Sequence, residues 1–428
     1  MKKLAYYFVL VIFTAFFVSA CCSTKTISTK GKVWVPVYKT LDEIRNGVKA
    51  QGAEDINIFC KIYIYGQYLF ITDKGTGVHI FDNSNPANPQ QLSFVAIPGN
   101  QDVAVKNNIM YADNYLDLVA FDISNPSAPK FVKRLENVFP NLLDMNNSYV
   151  DPKLGIVTNW VEKDTIYSYT YNECAGSSPV STDGTYGGST KDGVSSGSGG
   201  RSTSSSGGAT GIGGSTERFT IVGAYLYIVD NTNLQVIDIS NTSNPRIWAK
   251  ANIGWSIETV YPVKDKLFIG SQTGMFIYDI STPWNPTFVA NFSHARACDP
   301  VVATDKYAYI TTRSNSRCAG NNNQLSIVDI SNITSPKLVK AYPMQNPAGL
   351  GYDNNTLFVC DGEAGLKVFD VTNPSSISLL SWVSELNFGD IIPLGLSAIV
   401  VGVDGVYQYN YTDPKNLKQI SKIGFKTK

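Results

Sequence analysis

LSIVDISNITSP (325–336) is an apolar strand that ends on an aspartate and a polar turn, and six other stretches of this 428-residue chain repeat it. They are VHIFDNSNPANP (78–89), LVAFDISNPSAP (118–129), LQVIDISNTSNP (234–245), MFIYDISTPWNP (275–286), LKVFDVTNPSSI (366–377) and VYQYNYTDPKNL (406–417). The aspartates stand at 82, 122, 238, 279, 329 and 370, with Asn410 in the last copy, giving spacings of 40, 116, 41, 50, 41 and 40. A period near forty residues is that of a four-stranded propeller blade. The aspartate carboxylate accepts backbone N–H groups in an Asx-type turn, and a proline cannot donate to a ladder, so the strand stops there. That structural role accounts for Asp122, Asp238, Asp279, Asp329 and Asp370 without invoking a calcium series. No D-x-[DN]-x-[DN]-G loop with a following glutamate accompanies them.

Each unit reads as four strands. In 256–294 they are IETVYPV, KLFIGS, MFIYDI and TFVANF, apolar runs of strand length separated by turns. The wide spacing from Asp279 to Asp329 contains the polar loop Arg313 to Gln324. The widest, from Asp122 to Asp238, contains Cys174 to Thr216, where 31 of 43 residues are Gly, Ser or Thr. Such composition cannot bury enough apolar surface to offset ordering entropy, so 174–216 is expected to be a disordered insertion. The 73 residues that remain approach two periods. A degenerate blade is therefore expected over 140–173, with GIVTNW (155–160) and TIYSYTY (165–171) as its strands. The fold class is an all-β propeller over 52–428, expected to have eight blades, with seven as the alternative.

LSIVDIS and its sister segments resemble the LVIVD repeat of bacterial and archaeal surface and secreted propellers. The resemblance covers roughly 52–428. It implies the architecture and an extracytoplasmic location, and it carries no agreed catalytic activity. The first and last copies depart from the pattern (DNSNP, NYTDP), as terminal blades often do.

The N-terminus carries its own signal. Met1-Lys2-Lys3 is basic, Leu4 to Val18 is almost wholly apolar, and Ser19-Ala20 precede Cys21. That order describes a secretory signal peptide over 1–20, too short to span a bilayer. Val18-Ser19-Ala20-Cys21 resembles the bacterial lipobox, which implies lipidation at Cys21 and an envelope location, at an outer membrane facing the periplasm or the exterior. Residues 21–31 then form a polar tether, and 32–51 a strand-helix extension. In that extension VWVPVY (33–38) is the strand, and Thr40 with Glu43 makes a capping box for one short helix.

Composition narrows the function. Charged residues are 16% of the chain and the formal net charge is +0, so the strongly basic balance that would suggest nucleic acid does not appear. No C-x-x-C pair supports zinc, and the two histidines are His79 and His294. His79 lies within the strand VHIF, where a packed residue is expected. SHARACDP (293–300) gathers His294, Arg296, Cys298 and Asp299, and the 313–324 loop brings Arg317 and Cys318 to the same expected face. His294, Arg296 and Arg317 are the candidate binding residues, and Cys298 with Cys318 a candidate disulfide in an oxidising compartment. Were the chain an enzyme, His294, Arg296 and Asp299 would carry a hydrolase or lyase site, but no nucleophile elbow such as G-x-S-x-G accompanies them. Aligning repeats places Asp102, Glu258, Asp299 and Asp390 ahead of successive innermost strands. Four such carboxylates could hold Ca2+ or Mg2+ at the channel mouth, or could bond neighbouring blades with no ion. The leading function is a membrane-anchored, non-enzymatic binding or scaffold propeller for an envelope protein or glycan. A structural surface protein or adhesin is the further alternative.

Overall fold

Seven consecutive segments of this chain each fold into an antiparallel four-stranded meander, and the period seen in the sequence is the period of the meander. The computed structural model describes residues 24–57, 59–139, 150–151, 153–172, 210–254, 256–293, 300–314, 322–384 and 386–426. Blades 1 to 7 occupy 59–96, 103–135, 219–252, 257–293, 301–343, 350–383 and 388–424. Blade 4 matches its expected strands closely: Ile257–Val263, Lys266–Ser271, Gly274–Asp279 and Thr287–Ser293. Blades 2 and 6 open on two-residue hairpins, Asn107-Asn108 and Asn354-Asn355, with φ of 48° and 60° and of 45° and 62°. Asparagine tolerates that left-handed backbone, and its twist suits the flanking strands.

The repeated turn performs two jobs. In every copy the Asp (or Asn410) Oδ1 accepts the backbone N–H two residues on, at 2.7–2.9 Å: Ser84, Ser124, Ser240, Ser281, Ser331, Thr372 and Thr412. The Asx turn is therefore present seven times. The same turn also offers a carbonyl to the preceding blade. Ser93 donates to Pro126 O, Tyr111 to Thr242 O and Tyr227 to Pro283 O, each at 2.6 Å. Tyr342 donates to Pro374 O at 3.0 Å, Ser381 to Pro414 O at 2.7 Å, and Ser421 to Pro86 O at 2.6 Å. The last of these joins blade 7 to blade 1 and closes the ring. At that seam Ile62, Ile64, Leu69 and Ile71 pack with Ile392, Ile399, Val401 and Val406. One blade buries one neighbour's face on each side, which a lone four-stranded sheet cannot do.

The described residues form eight sheets, the expected number, but the eighth is not a four-stranded blade. Blade 2 abuts blade 3 through their first strands, Val103–Lys106 and Phe219–Val222, so the ring itself holds the seven meanders of the alternative reading. The segment expected as a degenerate blade instead forms one continuous strand, Gly155–Asn172, rather than two. It pairs with Thr24–Lys39 and with Val150–Asp151 in a three-stranded sheet. Strand Thr24–Lys39 is longer than the expected 33–38 and takes in most of the stretch read as tether. Residues 24–38 and 157–172 belong to one compact unit, and the propeller to another. Period-two alternation looks the same in a blade as in a ribbon, so the sequence pattern did not separate them.

Helix α1, Leu41–Asn46, carries the expected capping box: Glu43 N–H donates to Thr40 Oγ1 and Thr40 N–H to Glu43 Oε2. Its Ile44 packs on Leu116 and Ile156. Residues 49–51 then pair with the outer strand of blade 1, Gln90–Ala96, covering an edge that would otherwise be free.

The insertion read as 174–216 ends earlier than its composition suggests. Residues 174–209 lie outside the described residues, but 210–216 belong to the propeller. Thr210 bridges to Lys106, and Ile212–Gly213 pairs with the innermost strand of blade 1. A Cβ added at Gly211 would stand 2.2 Å from the Tyr63 ring and 2.5 Å from Ile64 O. This glycine is there for close approach, not for flexibility. Gly211→Val is expected to lower the melting temperature by several degrees through that clash; unchanged melting would mean the segment can move aside.

Candidate functional site

Counting back four residues from the end of each first strand's hairpin gives one equivalent position in all seven blades. Its occupants are Lys61, Asp102, Arg218, Thr259, Pro300, Gly349 and Asp390. Four consecutive blades, 7-1-2-3, therefore present Asp390, Lys61, Asp102 and Arg218, charges of alternating sign. All four side chains are buried.

Asp102 is the hub of this belt. Its Oδ2 takes the Lys61 ammonium and, at 2.7 Å, the backbone N–H of Arg218, while Oδ1 takes the N–H of Val103 at 2.9 Å. Lys61 Nζ also donates to Thr216 O at 2.6 Å and lies 3.8 Å from Glu217 Oε2. Arg218 Nη2 reaches Asp113 Oδ2 at 3.1 Å, and Asp113 Oδ1 accepts Gln101 N, Asp102 N and Asn100 Nδ2 at 2.8–2.9 Å. Blades 1, 2 and 3 are thus tied by charge-assisted bonds between buried side chains.

Environment separates the carboxyls. Burial pushes Asp102 up, but Lys61, the neighbouring Glu217 carboxyl as a donor, and Arg218 together pull it below its ordinary range. Burial raises Asp113, with Arg218 opposing. Glu217 goes far up, through burial and then the neighbouring Asp102 charge. Asp390 is pushed up to about 7 by burial, with the Ile391 N–H and Lys61 opposing only in part. Among the described residues Glu217 Oε2 and Asp390 Oδ2, both buried, have no hydrogen-bond partner.

Two of the four aligned carboxylates, Asp102 and Asp390, do share the equivalent position. Glu258 does not. It sits one residue early, opposite a register shift between Ile257 and Thr259, and a one-residue slip turns a side chain to the other face. It is half-buried, accepts Gln272 Nε2 at 3.1 Å, and has the buried Arg313 as its neighbouring cation. Asp299 lies outside the described residues, as do His294, Arg296, Cys298, Arg317, Cys318 and Cys21. Among the described residues no three His, Cys, Asp or Glu side chains are grouped to hold a metal ion. The counter-charge beside Asp102 is the Lys61 ammonium. His79 is fully buried within its strand, its Nδ1 2.8 Å from Gln91 Nε2 and its Nε2 3.5 Å from Asp73.

Sequence reading missed Lys61, Glu217 and Arg218. Glu217 and Arg218 follow directly on the Gly/Ser/Thr run, which hid the start of blade 3. Lys61 precedes an ordinary apolar strand. The available signal was register: Lys61 and Arg218 stand where Asp102 stands, counted from the next turn.

The LVIVD repeat family matches at residues 59–95, 99–136, 213–251, 295–343 and 354–384. The chain carries LVIVD repeats at five places, which fits an LVIVD-repeat family. The third match begins at 213, in agreement with the ordered segment before blade 3. Blades 4 and 7 lie outside the matched stretches, yet both have the same meander and the same Asx turn. Among curated proteins none matches this LVIVD-repeat chain. Its fold is similar to that of a protein from Lactobacillus plantarum, with 12% identity, 86% and 97% of the two chains covered and a TM-score of 0.54. The computationally designed Ika8 protein gives 8%, 88% and 91%, and 0.52. Saccharomyces cerevisiae Sqt1 gives 5%, 88% and 88%, and 0.50. At these identities the likeness is one of fold alone.

Proposed function

We propose that this chain is an envelope lipoprotein, anchored through Cys21, whose propeller is a non-enzymatic binding or scaffold module for an envelope protein or glycan. One observation carries the binding role above a catalytic one. Three of the four belt charges, Lys61, Asp102 and Arg218, are paired within the chain, and residues 210–213 lie along the innermost strands of blades 1 and 2. Partner recognition then falls to loops, and 293–300 with 313–324 carry the richest polar chemistry, in His294, Arg296 and Arg317. The order of charge, apolar run and small residues before Cys21 supports export and anchoring.

The test has two arms. Labelled palmitate should enter the parent and not Cys21→Ala; label retained in the variant removes the anchor. The parent, immobilised, should capture a component of the envelope fraction. His294→Ala/Arg296→Ala/Arg317→Ala should reduce that capture tenfold or more without shifting the melting temperature. Equal capture by the variant would move the binding site off these loops.

A further inference from the structure

The ribbon unit has a feature that the binding role does not use. Thr26 Oγ1 faces Thr170 Oγ1 and Ser28 Oγ faces Ser168 Oγ, each at 3.0 Å, so residue pairs summing to 196 lie opposite one another. Strand alternation then puts Thr26, Ser28, Ser168 and Thr170 on one face, and Ile27, Tyr167 and Tyr169 on the other. Tyr167 fits this assignment: its ring covers Gly31, and its hydroxyl donates to Lys32 O at 3.0 Å. Ile27 is 51% exposed, Tyr167 40% and Tyr169 36%, a contiguous apolar and aromatic patch with hydroxyls behind it. A two-stranded ribbon is marginal in water by itself, and this one leaves its aromatic face open.

We infer that this face of the ribbon seats on a lipid headgroup surface. The inference rests on the Cys21 anchor proposed above: Thr24 is three residues from Cys21, a reach of at most about 10 Å. An anchored chain holds this end of the ribbon at the headgroups. Tyrosine suits that depth, with a ring in the apolar boundary and a hydroxyl in the wet layer. The charge agrees: by the same alternation Lys25 and Lys163 fall on the aromatic face, both positive. Lys30 and Lys32 fall on the hydroxyl face with Asp164 and Glu162, the latter paired with Lys32. A single lipidated residue gains from such a second contact, because membrane residence rises with buried apolar area and electrostatic attraction together.

The experiment uses residues 21–428 with Cys21→Ser, which keep every described residue but carry no lipid. The chain is sedimented with vesicles of phosphatidylethanolamine and phosphatidylglycerol, and separately with pure phosphatidylcholine. Binding should favour the anionic vesicles and weaken with salt. Ile27→Ser/Tyr167→Ser/Tyr169→Ser should lower the partition coefficient tenfold or more. Ile166→Ser removes a 65% exposed apolar side chain from the hydroxyl face and should leave partition within twofold. Circular dichroism melting checks that the propeller is intact in both variants. No sedimentation with either vesicle, or equal loss in the two variants, overturns the inference. Failure of palmitate labelling would remove the anchor but would leave this measurement standing, so the two failures are distinguishable.

Discussion

Lys61→Met should destabilise the propeller by roughly 3–5 kcal/mol, the usual result of removing one partner of a buried ion pair. Lys61 is the ammonium that Asp102 needs: both side chains are buried, and Asp102 joins blades 1, 2 and 3 through Lys61 and the Arg218 N–H. Without Lys61 the Asp102 charge keeps its two backbone donors and the Arg218 guanidinium, with Nε at 3.7 Å, which is poor compensation for burial. Chemical denaturation monitored by circular dichroism measures the loss. The companion variant Lys61→Met/Asp102→Leu removes both charges and should recover most of it, so the two substitutions are strongly non-additive. If Lys61→Met melts like the parent, Arg218 and the backbone suffice, and Lys61 is no tie. Melting should also be indifferent to calcium and to chelator, because the counter-charge is covalently part of the chain.

Asp390→Asn should make the protein more stable at pH 8 than the parent while leaving the two close at pH 4. The folded-state carboxyl titrates at about 7 against an ordinary value of 3.8, so between these pH values the folded chain holds a proton that the unfolded chain has lost. Folding stability from this group is therefore highest below about pH 4 and declines as pH climbs through 7, by up to roughly 4 kcal/mol. Burial and the Asp102 charge raise Glu217 as well, so its contribution has the same sign. The turn aspartates run the other way. Their carboxylates accept the Ser or Thr donors of the Asx turn and are held low, Asp279 at about 2. Their contribution is present above about pH 4 and is lost as pH falls toward 2. A melting-temperature profile of the parent should thus peak on the mildly acidic side, and Asp390→Asn should flatten its alkaline limb. Parallel profiles would show that Asp390 is charged in the folded chain throughout.

The parts legible in the sequence were the parts specified locally. Seven turn copies marked the blades, because an Asx turn is built from an aspartate and the residue two places on. Thr40 and Glu43 marked the helix start, because a capping box spans four residues. The strands of blade 4 could be read from alternation and turns alone. Tertiary structure decided what lies across blades. Lys61 and Asp102 are 41 positions apart, and nothing local to either announces the pair. Glu258 aligns with Asp102 and Asp390 in sequence, but counted back from its hairpin it falls one residue early, and where the hairpin closes is set by strand pairing. Strand Gly155–Asn172 was read as blade because its alternation is a blade's; its partner, Thr24–Lys39, lies more than a hundred positions away. Gly211 looked like part of a flexible run, and only the Tyr63 ring against it shows why a side chain has no room there. Alternation and turns act within a few residues and survive in the linear pattern. Charge pairing, register and close approach are properties of neighbours that the chain brings together only on folding.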